Sequence, residues 1–384
     1  MIDATIISYP GSKENSLLSL GESRSKYMLP LGGKFRVIDF TLRNSISCGA
    51  KHTVIFSGME DGLIEYVKGY APADEETPDP IRIVNSEHPD LMTVQTIIAE
   101  TKTPHYIFYN GDNASIINFE ELFRHYLAKK SGAVLFGLDI NGKASMAHKI
   151  LVTDKKTLTG AIKKSKKEAE HSPDIFEMLI NRLLIGGIKK SHFKAEYFPV
   201  KTVPDYYNLN RKIIWDEKIF NLLFKEKIIK SQITSTGFAH IKQGAKIISS
   251  FISDYCTING TVENSIIFPG VTIEEGSIIK DSIILPFVNI GSGVRITRTI
   301  IDEYTNRTDI NPQIENFSRI GSSEQYIKNS DFPKALFDSI TLIGKNCKIP
   351  SGSSIGGACY VASNLSGEYF IQRKFLYDGM SLVK

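Results

Sequence analysis

Between residues 266 and 296 aliphatic side chains recur at a spacing of six: Ile266, Ile278, Ile284, Ile290 and Ile296 fall on one ladder, with Thr272 as its gap, and Ile267, Ile273, Ile279 and Leu285 fall on a second. Neither an α-helix nor a flat strand has that period. A triangular prism does: each hexapeptide makes one face and turns its aliphatic residue inward, and coils must stack because none can bury its column alone. Gly270, Gly276, Gly291 and Gly293 fall near the expected corners, where positive φ is easiest for glycine. The pattern pauses over about 303–338, a polar stretch read as a loop or extra hairpin, and resumes in Ile343-Gly344-Lys345-Asn346-Cys347-Lys348-Ile349. The spacing predicts a left-handed parallel β-helix of hexapeptide repeats over residues 241–384.

The first half has another rhythm. Short β-rich runs, Ala4–Ile7, Thr53–Phe56, Ile81–Val84, Tyr106–Tyr109 and Ala133–Leu138, alternate with amphipathic stretches such as Phe119–Lys130, where Leu122, Phe123, Tyr126 and Leu127 repeat at three- and four-residue spacing. Strands separated by helices imply right-handed crossovers and a mostly parallel sheet, so residues 1–228 read as an α/β Rossmann-like domain. Tyr206–Lys230 reads as a helix leading into a linker at 229–240, with Trp215 as a packing residue at the domain junction. A chain of 384 residues exceeds what one core organises, which agrees with two domains.

Composition excludes several classes. A net charge of +4 gives no field suited to a nucleic-acid backbone, and the basic run Lys163–Lys167 is followed by Glu168 and Glu170, as on a solvated face. No run of about 18 apolar residues exists, and Met1 leads straight into Ile2-Asp3-Ala4-Thr5 without signal-peptide character, so a cytoplasmic protein without a membrane partner is expected. Cys48, Cys256, Cys347 and Cys359 are far apart and lack metal-ligand spacing, which predicts reduced structural thiols.

Local sequence narrows the function. Pro30-Leu31-Gly32-Gly33-Lys34-Phe35-Arg36-Val37-Ile38-Asp39-Phe40, followed by Leu42, Asn44 and Gly49, resembles the signature of ADP-glucose pyrophosphorylases, and weaker resemblance runs through Asn110-Gly111-Asp112, Val203–Asn210 and the hexapeptide region. The resemblance implies a nucleotidyltransferase-type domain followed by a β-helix. Catalytic members read G-G-x-G-[ST]-R-L after the first strand, where glycines admit phosphate to backbone amides and the arginine offsets charge on departing pyrophosphate. Here the aligned residues are Gly11-Ser12-Lys13-Glu14-Asn15-Ser16-Leu17, with Ser16 at the arginine position. The family's R-A-K-P is Arg24-Ser25-Lys26-Tyr27, which keeps the phosphate-contacting lysine as Lys26. Its base-binding G-T-A-D-A aligns with Asp90–Gln95, where Leu91 and Met92 would fill the room for adenine. Of the two Mg²⁺ carboxylates, Asp112 matches the first, and the second falls in Pro199-Val200-Lys201-Thr202, which has none.

Four such departures imply a degenerate, GlgD-type regulatory subunit with no catalytic residues, Lys26 and Asp112 being vestigial. No metal or cofactor is expected in this chain, and Mg²⁺ belongs to its partner. The resemblance implies a hetero-oligomer, of tetrameric family type, with a catalytic ADP-glucose pyrophosphorylase subunit. It also implies phosphorylated metabolite effectors, for which Arg24, Arg295 and Arg298 are the candidate contacts. Three alternatives remain open at this point: an active transferase with an atypical phosphate loop, a hexapeptide acyltransferase, and a purely structural binding module without effector control. The second lacks the histidine such enzymes use, since residues 245–301 and 339–361 contain none.

Overall fold

The computed structural model describes residues 1–11, 16–58, 62–69, 81–86, 89–140, 143–165, 174–232, 237–306, 309, 311–324, 326–370 and 374–384. The middle of the phosphate loop (12–15), the end of the basic run (166–170) and part of the linker (233–236) therefore lie outside the described residues. The chain divides into two compact units. The first holds Met1–Lys13, Arg24–Met28 and Val37–Pro199, and the second Glu14–Ser23, Leu29–Arg36 and Val200–Lys384. Among the described residues no helix is long and apolar enough to cross a membrane.

The first unit is built on a seven-stranded sheet. Its strands are β1 (Ala4–Tyr9), β2 (His52–Ser57), β3 (Ile81–Asn85), β4 (His105–Asn110), β6 (Ala133–Ile140), β7 (Lys143–Asp154) and β8 (Lys189–Lys194), in the order β8-β6-β7-β4-β1-β2-β3. A short β5 (Ala114–Ile116) pairs antiparallel with β9 (Glu196–Phe198) beside it. Only β7 runs against its sheet neighbours β4 and β6. Every residue of β1 is buried, as a central strand covered on both faces requires. Ile7, Phe56 and Phe108 pack with Val94 and Ile97 of α2 (Leu91–Thr101) and Phe176 of α5 (Ile175–Ile185). On the other face, Ile6, Ile107 and Phe136 pack with Phe119 and Leu122 of α3 (Phe119–Ala128). These helices begin where Asp90, Asn118 and Asp174 accept the amides of Thr93, Glu121 and Glu177, so side chains satisfy the first turn. Leu127, expected on the buried stripe of α3, is instead half exposed at 50%.

The second unit contains the prism. Three parallel ladders of short strands form its faces, and Ile258, Ile267, Ile273, Ile279, Ile284, Ile290, Ile296 and Ile301 line its interior. The inward column corrects the six-residue ladders at one point. Ile279 stacks on Val262 and Ile284 on Ile267, each seventeen residues on, because the step from Ile279 to Ile284 is five. Ile278 thereby turns outward and is exposed, while Ile266 is buried outside the column. Of the four corner glycines, Gly270, Gly276 and Gly293 take positive φ and Gly291 does not. The pause at 303–338 is not one loop: Ile314 and Ile320, six apart, keep their rung, with Ile320 paired to Ile296 and Ile355. Insertions on either side of that rung hid it from the periodicity. Three of the buried thiols lie in this column, and desolvation raises Cys256 and Cys359 to about 11 and Cys347 to about 12, so they stay protonated.

The signature hairpin belongs to this unit. Two-residue strands Pro30–Leu31 and Phe35–Arg36 flank Gly32 and Gly33, whose φ values are +56° and +74°. Distant side chains hold its backbone. Asn210 accepts the Gly32 amide at 2.8 Å, while the hydroxyls of Tyr206, Ser253 and Ser231 donate to the carbonyls of Pro30, Gly33 and Lys34 at 2.7, 2.7 and 2.9 Å. Asn210 and Tyr206 sit on α6 (Val203–Trp215), which starts with a Thr202–Asp205 capping box. Trp215 ends that helix with Arg211 over its ring at 4.7 Å. A Cβ at Gly33 would meet the Phe251 ring at 2.5 Å in a left-handed backbone. Gly33→Ala is therefore expected to destabilise the second unit by about 2–4 kcal/mol, read as a lower urea midpoint.

Candidate functional site

In an open α/β sheet, ligands bind beyond the carboxyl ends of the strands where the strand order reverses. Here the chain builds β2 and β3 to one side of β1 and returns with β4 on its other side, so the reversal lies between β1 and β4. β1 ends at Tyr9 and leads to Gly11. β4 ends at Asn110 and leads to Asp112 and Asn113. Gly11 approaches so closely that a Cβ there would meet Asn110 Nδ2 at 2.7 Å.

Protein donors surround the Asp112 carboxylate. Its Oδ2 accepts the Gly11 amide at 2.9 Å and lies 3.3 Å from Lys26 Nζ, and its Oδ1 accepts Asn113 Nδ2 at 2.8 Å. Lys26 also donates to Asn113 Oδ1 at 3.3 Å. The Asp112 side chain is 3% exposed and that of Lys26 25%, so the lysine closes the outer side of the carboxylate. The two retained candidates are thus brought together as an ion pair.

The second carboxylate position is occupied by Pro199, which directly follows β9. β9 pairs Phe198 with Ala114 antiparallel, and extending that register by one residue carries Pro199 level with Asn113, next to Asp112. A proline side chain donates no electrons to a metal. Lys201, two residues on, is exposed, and its amide is taken by Asp205. A hard dication needs several anionic or carbonyl oxygens, and this donor set does not fit Mg²⁺. Among the described residues no group of three or more His, Cys, Asp or Glu side chains is placed to hold a metal.

Aromatic side chains occupy the floor. Tyr27, where the family motif has proline, is buried and shares a 2.7 Å hydrogen bond with Ser8. Tyr9 stacks on Phe176, with centroids 4.4 Å apart. Burial raises the pKa values of Tyr9, Tyr27 and Tyr197 far above the ordinary phenol value, helped by the carboxylates of Glu177 and Asp174 at Tyr9 and by that of Asp112 at Tyr27 and Tyr197, so these hydroxyls remain neutral and are unsuited to act as bases. Leu91 joins the same core cluster as Tyr9 and Phe176, but Met92 is 70% exposed and fills nothing, which corrects the expectation for that residue. The sequence reading missed Tyr9, Ser8 and Asn113. A bulky aromatic closing β1, where a phosphate loop needs small residues, was the available signal for the first.

The effector candidates have different surroundings. Arg24, in the first unit, is buried at 3% exposure. In the second unit, Arg298 sits at a prism corner with φ +50°, donates from Nε to the Asp338 carbonyl at 2.6 Å, and lies 5.9 Å from the centroid of Tyr207. Arg295 is exposed on a strand.

Sheet topology and the prism define an α/β Rossmann-like domain followed by a parallel β-helix of hexapeptide repeats. A family model described as GlmU-like, C-terminal hexapeptide matches residues 235–324. Over nearly its whole length the chain is similar to glucose-1-phosphate adenylyltransferases. That of Thermotoga maritima is 25% identical across 94% of each chain, and that of Bacillus cereus is 22% identical across 76% of this chain and 89% of its own.

Lys26→Met leaves a buried carboxylate short of its cation and is expected to cost roughly 1–3 kcal/mol of stability. Asp112→Asn added in that background should recover part of the loss. Urea unfolding of Lys26→Met, Asp112→Asn and the double variant checks both statements, and additive losses would show that the pair is not coupled.

Proposed function

We propose that this chain is a regulatory, non-catalytic subunit of a glucose-1-phosphate adenylyltransferase. The complex converts ATP and glucose 1-phosphate to ADP-glucose and pyrophosphate for glycogen synthesis in the cytoplasm. The observation that carries the reading is the Lys26 ammonium on Asp112 at 3.3 Å. Nucleotidyl transfer moves negative charge onto departing pyrophosphate, and catalysis depends on cations already aimed at it. Here the retained lysine is committed to the retained carboxylate, Ser16 stands at the arginine position, and Tyr9, Phe176 and Leu91 fill one core. The similarity to complete adenylyltransferases supports the role as subunit. The chain works beside a catalytic homologue, in a hetero-oligomer of tetrameric type, and that partner holds the Mg²⁺. Phosphorylated metabolites act as effectors, with Arg24, Arg295 and Arg298 as the contacts offered.

One observation favours a second reading, an active transferase with an unusual loop: Lys26 and Asp112 are both kept and lie side by side. Turnover separates the two. The purified chain, assayed without a partner in both directions, is expected to form neither ADP-glucose nor ATP above background, while its addition to the catalytic subunit shifts the effector response. Family-level turnover by the chain alone would defeat the proposal, as would failure of the two chains to co-purify.

A further inference from the structure

The three outward faces of the prism differ in what they present. On the face carrying Ile266, Ile283, Ile300, Leu342 and Tyr360, the outward residues are apolar and buried. On the face of strands Lys246–Ile248, Thr261–Glu263, Ile278–Lys280, Arg295–Thr297 and Arg319–Ile320, one outward row reads Lys246, Thr261, Ile278, Arg295, Arg319, Ser354 and Phe375, and four of its members are cationic or aliphatic and exposed. Arg295 and Arg319 occupy adjacent rungs in direct register, both exposed, with Ile296 and Ile320 turned into the column between them. Rungs of a sheet lie about 4.8 Å apart, so two guanidinium groups start from neighbouring backbones on one face.

Among the described residues none of the direct register neighbours of these arginines is acidic. Their outward neighbours along the row are Ile278 and Ser354, and those beside them are Thr297 and Gly321. The nearest acid on this face by register, Glu263, is already paired with Lys280 at 3.1 Å. Their backbone amides are taken by the Ser318 and Ser353 carbonyls, and among the described residues neither guanidinium has an ion pair or hydrogen bond. Like charges directly opposite in a sheet are destabilising, and a phosphoryl group bridging two guanidinium forks removes the repulsion while taking several charge-assisted hydrogen bonds.

We propose that Arg295 and Arg319 form a binding site for the phosphoryl group of a small anion on this outer face. It adds Arg319 as an unforeseen member of the site that the sequence offered through Arg295 alone. The inference rests on the effector reading above only for its ligand class, and it assigns Arg298, tied to the Asp338 carbonyl, no direct contact.

The test uses the full chain without partner, with inorganic phosphate and fructose 1,6-bisphosphate as probes at constant ionic strength, followed by calorimetric titration and thermal melting. Saturable binding and a ligand-dependent rise in Tm are expected, and the stronger probe tells whether the free anion or the phosphorylated metabolite is the better fit. Arg295→Gln and Arg319→Gln should each weaken binding by about tenfold or more. Arg319→Lys, which keeps charge and fold, should also weaken it, because an ammonium cannot fork. Lys246→Gln, three rungs away from Arg295, should leave binding unchanged. Full binding in the double glutamine variant, or no saturable binding to the wild-type chain, would overturn the site. Turnover by the isolated chain bears on the regulatory reading and leaves this site standing, so the two can fail separately.

Discussion

A buried carboxylate has to be neutralised, and what neutralises Asp112 decides the character of this molecule. In a protein that handles metal-bound nucleotide, the cation arrives with the substrate. Here Lys26 supplies it from within, 3.3 Å away, and the Gly11 amide and Asn113 take further lone pairs of the same group. A dication at that carboxylate would have to displace an ammonium already in place, and the segment Pro199–Thr202 offers it no second carboxylate. The surrounding tyrosines fit the same logic, since burial and the nearby Asp112 carboxylate keep Tyr27 and Tyr197 neutral.

The first part of the signature, Pro30–Arg36, and the Lys26–Asp112 pair lie in different units, while its second part, Val37–Phe40, shares the unit of the pair. Pro30–Arg36 is a hairpin whose carbonyls and amides are taken by Tyr206, Asn210, Ser231 and Ser253, so its matched residues describe a scaffold. A chain can keep this stretch for folding alone. That is why a long motif match coexists with a crevice whose ligands are spent on each other.

Much of the architecture was legible, because periodicity is a direct consequence of packing. The alternation of β-rich runs with amphipathic segments marks the sheet, and the isoleucine spacing marks the prism. The phase slip at Ile279–Ile284 was not legible, since one shortened turn leaves both ladders looking intact in the sequence while turning Ile278 outward. The rung at Ile314 and Ile320 was hidden by insertions on both sides. In the site, the missing carboxylate at Pro199 could be read from alignment of motifs, but its approach to Asp112 depends on the antiparallel pairing of Phe198 with Ala114, which no local pattern announces. Met92 shows the converse: a bulky residue near a lost pocket suggests filling, yet its place on the first turn of a helix points it to solvent.

The central claim concerns a cation, and a paramagnetic one tests it most directly. Mn²⁺ titrated into the isolated chain, with and without ATP, can be followed by the loss of its free electron-paramagnetic signal. The account predicts that the chain removes no Mn²⁺ from solution at a single saturable site and adds nothing to what ATP binds by itself. Saturable uptake that disappears in Asp112→Asn would show that Lys26 yields to a metal, and would contradict the account.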